Sequence, residues 1–215
     1  MSAEADTRHE SGQAPGLSED TAAAPQGNPA LLGLITFLPA GITLGLWFVG
    51  YLPTGTLGAG MVPLSGFCAG LFLMISAIWA ARLGASPVAA IFGVFSAFWL
   101  SFAVLLIAIT SNWWGLNGDA TGQVRATYLL SFLIVFVLMT LITLRLPLLF
   151  TVGFVLVDLT FALAYIGVAA GAAGLFPIAG ITTFLFCAVF AYILADGMGQ
   201  DLGGKALPLG NPILH

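Results

Sequence analysis

Asp158 lies near the middle of a long apolar segment, and its carboxyl group is the first candidate for chemistry in this sequence. A charged carboxylate is costly at that depth in a membrane, so we expect Asp158 to be protonated, paired or facing water. No Lys or Arg lies at a matching depth, so an ion pair is not expected. Two interpretations stay open: a protonated carboxyl bonded to a backbone carbonyl or to a neighbouring Thr such as Thr160, and a proton-sensitive group beside a solute path. Asp196 ends the last apolar segment and is expected to be solvated.

Hydroxyl groups and aromatic rings are the other side chains that could act on a solute. Hydroxyls in apolar helices usually bond their own backbone, although some could bond a small polar solute; they are Thr36, Thr43, Ser76, Ser96, Ser101, Thr140, Thr182 and Thr183. The rings of Phe37, Phe95, Phe98 and Trp99 would usually pack in a core or face lipid. A ring of such bulky apolar groups can also close a narrow path by excluding water.

Several classes of function are not supported by the residues present. Cys68 and Cys187 lie in apolar runs and are expected to be buried small hydrophobic residues. His9 and His215 lie near the chain ends, so we predict no metal site within the membrane. No nucleophile and base pair, phosphate loop or Cys/His cluster predicts catalytic residues or a cofactor. Five Lys and Arg residues are too few for a nucleic-acid partner.

The composition indicates a chain that uses lipid as its solvent. Hydrophobic residues make up 60% of the 215 positions and charged residues only 7%, whereas soluble domains carry about 25% charged residues. Much of the net charge of −4 comes from acidic residues in the first 27 positions. That leader is rich in Ala, Gly, Pro and Ser without hydrophobic periodicity, so we expect residues 1–27 to be a disordered, uncleaved cytoplasmic segment.

Six apolar segments follow, each long enough for a helix to cross a hydrocarbon core. We predict them at about 30–49, 57–83, 88–110, 124–144, 148–170 and 178–195. The sequence thus predicts an all-α membrane protein, with a six-helix transmembrane domain at 28–197 and a short tail at 198–215. Glycine pairs spaced by four residues occur at Gly41 and Gly45, at Gly66 and Gly70, and at Gly167 and Gly171. They allow close helix packing, either within one protomer or between protomers.

The first segment has a sharply defined beginning. Asn28 can cap a helix with its side-chain oxygen, and Pro29 suits the first helical position. Pro39 lies near the middle of the segment, where it frees a carbonyl one turn earlier and should bend the helix. We expect the inner face of this helix, near Phe37, to line a path.

Basic residues predict the orientation. Six crossings place Arg8, Arg82, Arg145 and Lys205 on one side and only Arg125 on the other. Positive residues favour the cytoplasm, so we expect both termini in the cytoplasm of a multi-pass cell-membrane protein. These features alone predict a small channel or carrier without naming its solute.

Short motifs resemble a known family. Residues 28–34, Asn-Pro-Ala-Leu-Leu-Gly-Leu, are similar to the Asn-Pro-Ala-Pro-Leu-Gly-Leu signature of the acetate uptake transporter family, which includes succinate–acetate permeases of the YaaH type; the matching positions are Asn28, Pro29, Ala30, Leu32, Gly33 and Leu34. Residues 95–99 resemble the family's aromatic element in the third helix, and residues 207–210 resemble its Leu-Pro-Ile-Gly tail.

The resemblance implies a homohexamer of six-helix protomers in membrane lipid. Each protomer would have its own pore for acetate and related short monocarboxylates, with succinate as a further candidate. It also implies a constriction at Phe37, Phe95 and Val157. Bacterial members of the family have Tyr at the position of Phe95 and Leu at the position of Val157. We therefore expect this constriction, or neck, to be less polar and wider than theirs. Passage would be that of an anion channel or of a proton-linked carrier.

Two alternatives to this function stay open. The protein could be a channel for small neutral solutes or cations, with Asp158 ionised. It could also be a non-transporting acetate sensor or scaffold that uses the acidic leader to bind partners.

Overall fold

The computed structural model describes residues 27–116 and 118–214, and every regular element in those ranges is helical. The leader therefore lies outside the described residues, except for Gly27. The α-helices are α1 (Pro29–Phe48), α2 (Leu57–Gly60), α3 (Leu71–Arg82), α4 (Ser86–Thr110), α5 (Gly118–Thr143), α6 (Leu148–Ala169) and α7 (Leu175–Asp201). A π-helix at Leu64–Gly70 joins α2 to α3, and short 3-10 turns lie at Thr54–Thr56 and Trp113–Gly115.

Six helical stretches are long and apolar enough to cross a membrane, which confirms the predicted all-α fold with six crossings. The second crossing, Leu64–Arg82, combines the π-helix with α3. Because the number of crossings is even, α1 begins and α7 ends at the same end of the bundle, which we call the tail end. The other end, where α1 ends and α7 begins, is the far end.

The start of α1 follows from the predicted cap. The Asn28 side-chain oxygen accepts a hydrogen bond of 3.0 Å from the backbone N–H of Ala30, and Pro29 occupies the first turn. The helix continues through Pro39, whose ring faces outward. Phe37, on the other side of the helix, is buried. Pro39 thus lies on the outer side of α1, away from Phe37.

The π-helix is tied to its neighbours by side-chain hydrogen bonds. Ser96 on α4 donates to the Gly70 carbonyl at 2.8 Å, and the Cys68 thiol donates to the Thr36 carbonyl of α1 at 3.4 Å. A π-helix is rare and often accompanies a functional site. Here it lies between α1 and α4, the two helices that carry the predicted gate rings.

The glycine pairs allow close packing inside one protomer. A Cβ atom at Gly41 would lie 2.7 Å from the Cys187 sulfur, and one at Gly45 would lie 2.7 Å from the Phe184 ring. Both neighbours belong to α7, so these glycines bring α1 and α7 together. Gly70 likewise meets Leu100 of α4. The interpretation of packing within a protomer is therefore confirmed at these positions.

The expectation that Asp196 is solvated is wrong. Helix α7 continues to Asp201, so Asp196 lies within the helix and is only 5% exposed. Its two carboxylate oxygens accept hydrogen bonds from the backbone N–H of Leu207 at 2.7 Å and from the Gln200 amide at 2.9 Å. The C-terminal segment returns to the bundle, where the Leu209 carbonyl accepts from the N–H of Leu149. Asp196 thus anchors the chain end against the α5–α6 turn.

Candidate conduit through the helix bundle

A cavity lies at the far end of the bundle, between the last turns of α1 and α4 and the first turns of α5. Its volume is about 70 Å³, well above the roughly 10–15 Å³ that one water molecule needs. Most of its lining is apolar, including Phe98, Phe102 and Phe161. Its polar lining groups include Arg125, Tyr128 and Thr160. This far-end cavity can therefore hold a small solute with both apolar and polar contacts.

A second cavity lies at the tail end, within the first half of α1, α4 and α6 and the second half of α7. Its volume is about 160 Å³. The residues around it are all apolar: Ala30, Leu34, Phe37, Leu73, Val88, Ile91, Phe92, Phe95, Leu146, Phe150, Phe154 and Phe190. This tail-end cavity offers a solute no side-chain hydrogen bond.

A layer of aromatic rings separates the two cavities. Phe37 and Phe95, which line the tail-end cavity, meet edge to face with ring centroids 5.6 Å apart. Phe95 contacts Phe136 at 4.9 Å, and Phe136 contacts Phe161 of the far-end cavity at 4.8 Å. Phe98 completes the layer, 5.0 Å from Phe161. We call these five rings the aromatic layer. It is the barrier that a solute would have to pass between the cavities.

The three predicted gate residues lie in one region of the core. Phe37 and Phe95 are in ring contact, and both are less than one-tenth exposed. Val157 on α6 is 1% exposed and belongs to the same buried cluster. It lies one turn from Phe154 and from Phe161, but it lines neither cavity. The structure thus places two predicted gate residues at a cavity wall, while the third, Val157, is buried in the core without lining a cavity.

Sequence reasoning missed three rings near the constriction. Phe136 is completely buried and links Phe95 to Phe161, and Phe154 lies 5.7 Å from Phe95. A signal for two of them was present, because Phe154 and Phe161 lie seven residues apart on the face of α6 that also carries Val157. A signal for Phe136 was also present, because Tyr128, Phe132 and Phe136 follow one another at four-residue spacing on one face of α5.

Asp158 points toward α5 and not toward either cavity. The Thr140 hydroxyl donates to one carboxylate oxygen of Asp158 at 2.6 Å, while the other oxygen is buried without a partner among the described residues. Thr160, named above as a possible partner, is instead 2.7 Å from the Thr182 hydroxyl. A threonine does bond Asp158, but it is Thr140 and not Thr160, because Asp158 and Thr160 lie two residues apart on α6 and project about 200° from each other.

Other buried polar groups lie close to the aromatic layer. Tyr128 donates to the Phe98 carbonyl at 2.8 Å and lies 2.9 Å from the Ser101 hydroxyl. The Trp99 indole nitrogen is buried without a partner in the described ranges, and its ring lies 6.0 Å from Phe37. Among the described residues, no cluster of three or more His, Cys, Asp and Glu side chains could hold a metal ion.

Comparison with known protein families identifies the family of this chain. The family model described as the GPR1/FUN34/yaaH family matches residues 11–201, which is most of the chain. The chain belongs to this family. The predicted resemblance to the acetate uptake transporter family is thereby confirmed. No protein of curated function matches the chain in a sequence search.

A solved structure that resembles this chain supports the same family assignment. The bacterial acetate channel SatP superposes on this chain with a TM-score of 0.77 and 25% sequence identity. The match covers 86% of this chain and 100% of SatP. Together with the family, it shows that the chain is a multi-pass membrane transport protein and not an enzyme.

Proposed function

We propose that the protein lets acetate and related short-chain carboxylates, succinate among them, cross the membrane through a conduit within each bundle. The observation that carries this proposal is the pair of cavities at opposite ends, separated by one aromatic layer. The similarity to a bacterial acetate channel supports the choice of substrate. In this account Phe37, Phe95 and Val157 form the gate.

The energetics of the aromatic layer favour small, weakly polar forms of the substrate. A carboxylate that enters an apolar neck loses hydration, and no polar side chain of the tail-end cavity replaces it. Passage is therefore easiest for an acid that keeps some water or carries a proton. Acetic acid resembles a Glu side chain, whose pKa is about 4.3, so a small fraction of acetate is protonated near neutral pH.

We also propose that Asp158 is a proton-sensitive group that acts on the gate from behind. Asp158 follows Val157 directly on α6, so a change in the protonation of the Asp158 carboxyl can shift the helix turn that carries Val157. The polar group that faces it from α5 is Thr140. Within the described part of the chain, the hydrogen bonds of this carboxyl involve no charged side chain.

The assembly is proposed to be a homohexamer in the cell membrane with both chain ends in the cytoplasm. Helix α5 is buried least of the six crossings, and large apolar side chains cover its outer face. Such a face fits lipid or a neighbouring protomer. Exposed Arg82 and Arg145 at the tail end support the orientation. Cross-linking in native membranes, followed by mass determination, tests the subunit number.

A flux assay tests the function. Purified protein in liposomes is given labelled acetate, propionate, butyrate, succinate and glycerol at two pH values. The proposal expects acetate to move fastest among the monocarboxylates, and glycerol to be excluded. Rapid glycerol flux, or selective cation currents in a planar bilayer, would favour the alternative of a channel for neutral solutes or cations. Folded protein that moves none of these solutes would favour the sensor or scaffold.

A further inference from the structure

Arg125 is a cation placed in the wall of the far-end cavity. It lies in the first half of α5, is half-buried, and lines the cavity together with Tyr128 and Thr110. The other basic residues that the structure describes, Arg82, Arg145 and Lys205, are exposed and lie at the tail end. Among the described basic residues, Arg125 is thus the one at the far-end mouth of the candidate conduit.

The described cavity-lining groups near Arg125 bond elsewhere and not to its guanidinium. Tyr128 is already engaged by the Phe98 carbonyl and the Ser101 hydroxyl, and the Thr110 hydroxyl donates to the Leu106 carbonyl. Of the acidic side chains that the structure describes, Asp158 is bonded to Thr140, Asp196 is bonded to the C-terminal segment, and Asp201 is exposed at the tail end, where α7 ends. The side-chain hydrogen bonds within the described ranges do not include the Arg125 guanidinium.

Helix α5 connects this cation to the aromatic layer. Tyr128, Phe132 and Phe136 follow Arg125 on one face of the helix, with ring centroids 5.0 Å apart for the first pair and 5.9 Å for the second. Phe136 lies eleven positions after Arg125, a rise of about 16 Å along the axis. Arg125 is therefore remote from Phe136, whereas Phe98 and Phe161, on the far-end side of the layer, border the same cavity as Arg125.

We propose that Arg125 is the capture site for the carboxylate anion at the far end of the conduit. This inference rests on the proposed function and adds the residue that recruits the substrate. A guanidinium presents a planar fork of N–H donors that matches a carboxylate. Its charge lies in a cavity with mostly apolar walls, which focuses the field and raises the local concentration of small anions. The tail-end cavity has no such group, so capture is confined to one end.

The test compares three variants in vesicles oriented with the far end outward. Arg125→Gln is expected to raise the KM for acetate about tenfold and to change Vmax less than twofold, because it weakens capture and leaves the aromatic layer intact. Arg125→Lys keeps the charge and is expected to stay within about threefold of the wild-type KM. Arg145→Gln, which removes an exposed cation at the tail end, is the matched control and is expected to leave this KM unchanged.

Salt dependence gives a readout that a structural role would not produce. The wild-type KM is expected to rise as the Debye length shortens from about 30 Å at 0.01 M salt to about 8 Å at 0.15 M, and that of Arg125→Gln to stay flat. An unchanged KM in Arg125→Gln would overturn the inference while acetate transport stands. A fall in Vmax alone, in both Arg125 variants, would also overturn it and assign Arg125 to packing or to a lipid phosphate.

A binding measurement separates failure of the inference from failure of the proposed function. Line broadening of ¹³C-acetate is measured by NMR with the full-length protein and with Arg125→Gln. If the wild type moves no acetate yet broadens the signal more than the variant does, the site stands and the transport proposal fails. Equal broadening by the two proteins would overturn the site.

Discussion

Replacing Phe37 by Ala tests the proposed gate at the residue whose ring contacts the structure defines in most detail. The Phe37 ring is 4% exposed and lies within about 6 Å of four others, those of Phe95, Trp99, Phe186 and Phe190. Its removal opens the tail-end wall of the aromatic layer and lets water reach Phe95. Partial rehydration of a carboxylate in the neck recovers about 1–3 kcal/mol of the desolvation cost. Since about 1.4 kcal/mol corresponds to a tenfold change in rate, we expect acetate flux to rise between about fivefold and 140-fold.

The assay measures initial uptake of labelled acetate and labelled butyrate into liposomes. Phe37→Ala is expected to raise both rates and to lower the ratio of acetate to butyrate. Phe37→Leu keeps an apolar plug and serves as the matched control, with rates within about threefold of the wild type. A buried Phe→Ala change costs about 3–5 kcal/mol of stability, so thermal unfolding must first show that the variant is folded. Folded Phe37→Ala with unchanged rates and an unchanged ratio would refute the assignment of the gate.

Three further changes probe the rest of the account. Val157→Leu adds a methylene to a site that is 1% exposed, so we expect a flux at least threefold lower and a loss of about 1–3 kcal/mol of stability; faster butyrate flux would contradict this. Asp158→Asn should flatten the dependence of acetate flux on pH between 5 and 8 and leave the unfolding temperature nearly unchanged, and Thr140→Val should change the same profile; an unaltered profile in both variants would give the pair a structural role. Asp196→Ala removes the acceptor of the Leu207 N–H and should destabilise the fold by about 1–3 kcal/mol, with early proteolysis of the C-terminal segment; an unchanged unfolding temperature and cleavage pattern would contradict the anchoring role.

The six crossings and the first helix cap could be predicted because they depend on local properties. Segment length and apolar composition determine whether a helix can span lipid. Asn28 and Pro29 act within the turn that they begin, so their effect does not depend on distant residues. Phe37 and Phe95 could be named because the family signature fixes their place in the chain, and the structure brings their rings into contact.

The interior faces of the helices could not be predicted in the same way. In a soluble helix, polar residues mark the exposed side, whereas these helices are apolar all round because lipid takes the place of water. Phe136 is completely buried while Ile134, two residues away, is 56% exposed, yet both are large and apolar. The prediction for Asp196 was wrong for another reason. Its hydrogen-bond partner Leu207 lies beyond the helix, in a segment that returns to the bundle through tertiary contacts, which the local sequence does not reveal.

The two cavities differ in the polarity of the side chains that line them, and we expect this difference to affect how the solute binds at each end. The far-end cavity holds Arg125 and several hydroxyls, whereas the tail-end cavity is lined by apolar residues alone. An anion is thus expected to bind at the far end and to cross the layer without a second polar site. A saturable dependence on substrate at the far end, with a nearly linear one at the tail end, would be the kinetic signature.

Cysteine substitution at two adjacent positions of α1 tests most directly whether the solute crosses inside the bundle. Leu34 lines the tail-end cavity, whereas Ile35 is 47% exposed on the outer face. In a background with Cys68 and Cys187 replaced by Ala, each variant is treated from the tail end with a charged thiol reagent while acetate flux is followed. The account predicts that modification of Leu34→Cys blocks flux, that acetate slows this modification, and that Ile35→Cys keeps its flux. Unimpaired flux after complete modification of Leu34→Cys, or a block through Ile35→Cys instead, would contradict a conduit within the protomer.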